Sequence, residues 1–263
     1  MTDYRTWERR TPRQRIVRYV ALLLAFVAVA ISWQFLDVNY EFLATAPREF
    51  GDLVERMYPP NVGYSGDILG PLIETINIAV LGTILAVIAS VPVALLGAEN
   101  TAPNQLGYGL GKFIISFTRS VNVIIWALIF VIIIGPGALA GVLAIAVRSI
   151  GFTSKLIAEA IEEIDPGQVE AIRATGANPV EAAIYGIVPQ IKPAFVGVST
   201  YRWDINVRAS TIIGFVGAGG IGVELTTSIN FFRWQNVLTI LIAILAIVIF
   251  SEVTSAYLRR KVR

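Results

Sequence analysis

Residues 170–190 read EAIRATGANPVEAAIYGIVPQ, and with the residues just before them they contain two marked helix starts inside a chain made mostly of apolar runs. Asp165-Pro166-Gly167-Gln168 offers an Asp N-cap, proline at the first helical position and Gln at the third. Asn178-Pro179-Val180-Glu181 repeats the arrangement with Asn and Glu. Gly176 falls where the first helix needs a left-handed residue to end. The spacing predicts a rigid helix-turn-helix within a loop over residues 163–186. Such a loop is either a well-capped connector or a docking surface. Its small residues, Ala171, Ala174, Ala177, Ala182 and Ala183, would let another protein approach closely.

Around this stretch the chain is 55% hydrophobic and only 15% charged over 263 residues, with a mean hydropathy of +0.67. That is too apolar for an ordinary soluble domain and predicts an all-α membrane protein embedded in a lipid bilayer. The net charge of +2 says little about partners, and no nucleic acid is expected among them. With no cysteine and no histidine, disulfides, thiol nucleophiles, Cys/His metal sites and imidazole acid–base chemistry are excluded. Neither a catalytic residue nor a metal site is expected.

The apolar runs predict six spans. Residues 19–36 follow an Arg-rich lead (Arg5, Arg9, Arg10, Arg13, Arg15) without a small-residue cleavage pattern, and read as a retained first span rather than a signal peptide. Residues 75–98 form the second. The uncharged run over 120–147 is long for one helix and short for two, but Gly135-Pro136-Gly137 breaks it, predicting spans near 113–134 and 138–160. Residues 187–207 and 237–257 complete the set. Sixteen of the 21 Lys and Arg residues then fall on one side, so the positive-inside rule places both termini in the cytoplasm of a plasma (inner) membrane protein. The segments are a basic tail (1–18), the first span (19–36), an outer loop (37–70) carrying six acids against two arginines, a five-span core (71–258) and a second basic tail (259–263).

The loop at 163–190 resembles the cytoplasmic loop of the membrane-spanning subunits of bacterial ABC importers, which reads E-A-A, three residues, G, nine residues, I-x-L-P. Glu170, Ala171, Gly176 and Pro189 stand at the required positions; Ile172 replaces the third Ala, Gly186 the Ile and Val188 the Leu. The resemblance implies a type I importer permease fold with five core spans plus one N-terminal span. It makes Glu170, Ala171, Gly176, Ala177 and Pro189 part of a coupling helix that docks into an ATPase subunit. It also implies a second copy of this chain, an ATPase dimer that binds ATP and magnesium in place of this chain, and an extracytoplasmic substrate-binding protein.

Residues 203–222, WDINVRASTIIGFVGAGGIG, include a formal dinucleotide fingerprint, but an apolar span follows it and the required acidic residue is absent. Gly217, Gly219 and Gly220 either allow close helix packing or shape an irregular loop lining a cavity. Arg202, Asp204 and Arg208 lie near the expected outer end of the fifth span, where each buried charge costs about 2.5–3.5 kcal/mol on insertion scales. Asp204 and Arg208 are one turn apart and can pair. Either the pair holds the fold, or a spare guanidinium presents donors to an oxyanion in the path. The stretch resembles the phosphonate/phosphate subset of these permeases, and that resemblance makes these six residues pathway candidates. An arginine fork matches phosphate or phosphonate oxygens.

Among the remaining charges, Arg119 and Lys155 are expected to snorkel to the cytoplasmic surface. Arg148 either lines the path or marks a misplaced span. Glu252 is expected to be structural, paired with an arginine. Residues 40–58 read as a surface or interfacial helix. An ABC permease for another small solute and an ATP-independent secondary transporter are the alternatives. The second predicts intramembrane acids, and Glu74 and Glu252 lie only at span edges.

Overall fold

The computed structural model describes residues 12–36 and 39–262. Arg5, Arg9 and Arg10 of the basic lead, Asp37 of the acidic loop, and Arg263 lie outside the described residues. All regular elements among the described residues are helices, and the chain divides into two units, one running to Glu55 and the other from Arg56 onward.

In the first unit, α1 (Pro12–Phe35) is followed by α2 (Tyr40–Met57), which ends just past the boundary. The described side chains of α1 are exposed, and its apolar residues from Ile16 to Phe35 occupy every side. A helix apolar all round and open on all sides is suited to lipid. By contrast α2 is amphipathic. Trp33 at the end of α1 donates its indole N–H to the Tyr40 hydroxyl at the start of α2.

The second unit contains α3 (Leu69–Gly97), α4 (Gln105–Ser120), α5 (Val123–Ile134), α6 (Ala138–Glu162), α7 (Pro166–Ala174), α8 (Pro179–Ala182), α9 (Val188–Ile213), α10 (Ile221–Asn230) and α11 (Trp234–Val262). Its centre is the pair α3–α6. Gly82 of α3 faces Ile145 of α6 so closely that a Cβ there would sit 2.7 Å from an Ile145 methyl carbon. Ala79, Ala86 and Ala144 are completely buried in this region. Small residues on facing helices let the backbones approach, and packing then replaces the hydrophobic drive that lipid does not supply. The opposite faces present Leu81, Leu85 and Ile88 of α3 and Leu241, Leu245 and Ile249 of α11 to the surroundings.

Four helices are long and apolar enough to cross a membrane, rising to six segments if each of two bent pairs counts as one span. The expected single span over 113–134 is two helices, α4 and α5, meeting at 91°. The cause is Asn122, whose Oδ1 accepts from the Ile124 amide at 3.1 Å and starts a new helix inside the uncharged run. The expected fifth span does not stop near 207. Helix α9 continues to Ile213 and a 3-10 turn over Gly214–Val216, and then bends by 42° into α10. Arg202, Asp204 and Arg208 therefore sit in the body of a long helix rather than at its end.

Candidate functional site

The hairpin is built by the caps that its sequence advertises. Asp165 Oδ1 accepts from the Gly167 amide at 2.9 Å and opens α7. Asn178 Oδ1 accepts from the amides of Val180 and Glu181, while Glu181 Oε2 accepts from the Asn178 amide at 2.8 Å, which closes a reciprocal capping box on α8. Between them Gly176 has φ +88°. The second helix is not free-standing, because a π-helical turn over Ala183–Ile187 joins α8 directly to α9. One rigid rod thus runs from the hairpin into the body of the unit.

Val169 is the one buried residue of α7, and it packs with Ala94, Ile157, Ala158, Ile161 and Ile187. Gly186 allows this, since a Cβ there would lie 3.2 Å from the Val169 Cα. Gln190 adds a polar latch: its Oε1 accepts from the Asp165 amide and its Nε2 donates to the Asp165 and Gly186 carbonyls. Neither contact was legible in the sequence. Glu170, Ala171, Ala174, Gly176 and Pro189 remain exposed and Ala177 half-buried. Beside the hairpin lies a cavity of about 790 Å³, lined mainly by apolar side chains such as Leu95, Val180, Ile184 and Phe195.

The glycine-rich segment forms a joint. Gly217, Gly219 and Gly220 have φ of +82°, +82° and +75°. The Gly137 amide donates to the Gly217 carbonyl at 2.9 Å, and the Ile221 amide donates to Thr75 Oγ1 at 2.7 Å. The break before α6 and the break before α10 therefore meet, with α3 alongside. A Cβ on Gly219 would lie 2.9 Å from backbone atoms of Ala138, so this approach requires glycine.

The three charges of α9 separate into two environments. Buried Asp204 pairs with Arg208, Nη2 to Oδ2 at 2.8 Å, and accepts from the Ser251 hydroxyl at 2.7 Å. Glu252 also lies 3.8 Å from Arg208 Nη2. Arg202, 6% exposed, takes no part in that pair. Its Nη2 donates to Ser149 Oγ at 3.0 Å and reaches Asn206 Oδ1 at 3.4 Å. Ser149 also donates to Asn206, and Asn206 donates to Thr83, so α3, α6 and α9 are tied by one buried polar chain.

Arg202 has two cationic neighbours from other helices. The guanidinium carbons of Arg119, Arg148 and Arg202 stand 4.7, 4.6 and 4.9 Å from the centre of the Phe152 ring. Arg148 Nη1 donates to the Arg119 carbonyl, which caps the end of α4. The buried Nε–H groups of Arg119 and Arg202 have no partner. Among the described residues no carboxylate lies within ion-pair distance of any of the three. Since all three contact one ring, no two guanidinium carbons are more than about 10 Å apart, and at an effective dielectric of ~20 each pair repels by at least ~1.7 kcal/mol. Cation–π attraction of about 0.5–2 kcal/mol per arginine offsets much of this. Half-buried Arg119 thus lies against Phe152 of α6, with its Nε–H inside the unit. Arg148 is not a sign of a misplaced span, since α6 starts at Ala138, where the sequence put it.

Residues 86–263 match the family described as "Binding-protein-dependent transport system inner membrane component". The chain belongs to that family. The permease is 44% identical over 206 residues to a phosphite transport system permease protein of Stutzerimonas stutzeri, covering 78% of this chain and 74% of that one. It is 39% identical over 224 residues to a phosphate-import permease protein of Mycolicibacterium smegmatis, covering 84% of this chain and 42% of that one. Its fold resembles that of a chain in a solved structure of inward-facing conformations of the MetNI methionine ABC transporter (TM-score 0.66, 22% identity, 77% of this chain and 99% of that one). The permease is thus an all-helical transport component of the type I importer fold, not an enzyme.

Proposed function

We propose that this permease forms the membrane pathway of an ATP-driven importer for phosphite, phosphonate, phosphate or a related phosphorus oxyanion. The observation that carries this reading is the hairpin, a doubly capped, latched element whose exposed small-residue face is continuous with the long helix α9. In this reading Glu170, Ala171, Gly176, Ala177 and Pro189 form the surface that meets a separate ATPase, and two copies of the chain receive the two clefts of an ATPase dimer. An extracytoplasmic binding protein delivers the ligand on the other side, and both chain termini are cytoplasmic. The oxyanion assignment draws support from relatives named for phosphite and phosphate transport.

Mechanistically, a hairpin fixed to α3 and α6 through Val169 and to α9 through the π-helical turn moves only with those helices. Displacement by the ATPase then biases the unit between two packings, which is what alternating access requires. The joint at Gly217, Gly219 and Gly220 supplies the pivot where α9 ends and α10 begins. Arg202 is the pathway cation, while Asp204 and Arg208 hold α9 against α11 through Ser251.

The test is uptake of labelled phosphite and phosphate in cells with and without the chain, the ATPase and binding-protein subunits being expressed in both. Uptake that needs the chain and is lost on ATP depletion supports the reading. Uptake that persists without the chain removes the oxyanion assignment.

A further inference from the structure

We infer that Arg119, Arg148 and Arg202, gathered on the Phe152 ring, form a binding site for one tetrahedral phosphorus oxyanion inside the permease itself. The inference rests on the importer reading and gives it a place in the fold.

Arginines from α4, α6 and α9 converge on a single phenyl ring, and among the described residues no acid lies within ion-pair distance of them. Asp204, two residues along the same helix, lies on a different face from Arg202 and is engaged by Arg208 and Ser251. Arg202 is buried with its Nε–H unpartnered, and Arg119 has the same orphaned donor. Buried N–H groups are rarely left without an acceptor, and an unpaired buried charge is rarer still. An anion placed among the three guanidinium groups supplies the missing acceptors and the missing negative charge together. Planar forks match the oxygens of a tetrahedral oxyanion two at a time.

The neutral partners have a consistent meaning. Ser149, Asn206 and Thr83 orient Arg202 without neutralising it, so its charge remains available. Phe152 holds three cations close through its faces without competing for their hydrogen bonds. Arg119 and Arg148 are only half-buried, so the cluster can be approached from their side. A site with three cations and no fixed anion also holds its ligand by charge more than by shape. That suits a pathway passing phosphite, phosphate and phosphonates alike, with finer selection made elsewhere.

The same chemistry could come from the phosphate of a lipid headgroup, so the experiment has two arms. In the first, full-length permease purified in detergent is melted with increasing phosphite, phosphate or methylphosphonate, with chloride at matched ionic strength, and with phosphatidylglycerol. The free oxyanions should raise Tm saturably, chloride should not, and Arg148→Gln should abolish the shift. Stabilisation by phosphatidylglycerol but not by the free oxyanions overturns the proposal in favour of a lipid site.

In the second arm, uptake is measured in cells expressing the whole system with wild-type chain, Arg148→Gln, Arg148→Lys or Phe152→Leu. Loss of one charge-assisted contact should lower uptake by about tenfold or more. Arg148→Lys should retain an intermediate rate, while copurification of the ATPase stays unchanged in every variant. Wild-type uptake with an equally active Arg148→Gln refutes the arginine site and leaves the importer reading standing. Absence of oxyanion uptake in the wild type, with saturable binding in the first arm, refutes the importer reading alone.

Discussion

Gln190 grips Asp165 in both directions: its Oε1 accepts from the Asp165 amide at 2.9 Å and its Nε2 donates to the Asp165 carbonyl at 3.3 Å. The two residues are 25 positions apart, and they bring the start of α7 to the first turn of α9. Replacing Gln190 with Ala removes both bonds, at about 0.5–1.5 kcal/mol each. The Gln190→Ala protein should still insert and assemble. Its ATPase partner should hydrolyse ATP with less stimulation by substrate, because the start of α7 would be held to α9 less tightly, through Val169 and the π-helical turn alone. Unchanged stimulation in reconstituted complexes would assign Gln190 to local stability only.

Gly176 has φ +88° with open space where a Cβ would be. Any effect of substitution there comes from backbone strain and not from a clash. Gly176→Val should cost about 1–3 kcal/mol at the turn and abolish uptake, whereas Gly176→Asn, which tolerates the left-handed region, should keep most of it. Measuring both variants beside protein abundance separates turn geometry from misfolding.

Gly151 and Gly109 make a contrasting pair. A Cβ on Gly151 would strike Thr118 Oγ1, Arg119 Cγ at 2.8 Å and the Ile115 carbonyl, while Gly109 on α4 has nothing within 4 Å. Gly151→Ala should lower Tm through overpacking of about 1–3 kcal/mol and displace Arg119 from Phe152. Gly109→Ala should instead stabilise α4 by about 0.5–1 kcal/mol. Thermal unfolding of the two purified variants gives shifts of opposite sign if the α4–α6 contact is as described.

Asp204→Ala leaves the Ser251 hydroxyl without its carboxylate acceptor and Arg208, which is about half exposed, with only Glu252 at 3.8 Å; it should reduce folded protein and uptake together, at a cost of about 1–3 kcal/mol for the lost charge-assisted hydrogen bonds. Arg208→Lys preserves the charge and should leave both nearly intact. A selective loss of uptake in Arg208→Lys, with normal abundance, would move Arg208 from the scaffold into the pathway.

The sequence by itself determined whatever depends on neighbours along the chain. Asp165, Asn178 and Glu181 cap helices through amides two or three residues away, and Gly176 ends a helix through its own φ, so the hairpin could be read directly. The apolar runs likewise announced helices, since lipid leaves the backbone no other partner. A local signal also lies within the uncharged run: Asn122 is an N-cap that turns one expected span into two helices at 91°. The one-turn spacing of Asp204 and Arg208 offered their pair, and tertiary structure decided what surrounds the charges of α9. Asp204 faces Arg208 one turn on and not Arg202 two residues back, and the positions of Ser251 on α11 and of Ser149 and Thr83 on α6 and α3 supply the buried partners that no spacing encodes. Arg119, Arg148 and Phe152 meet Arg202 from three helices, and no spacing in one dimension encodes that convergence, because helix packing brings together residues up to 83 positions apart.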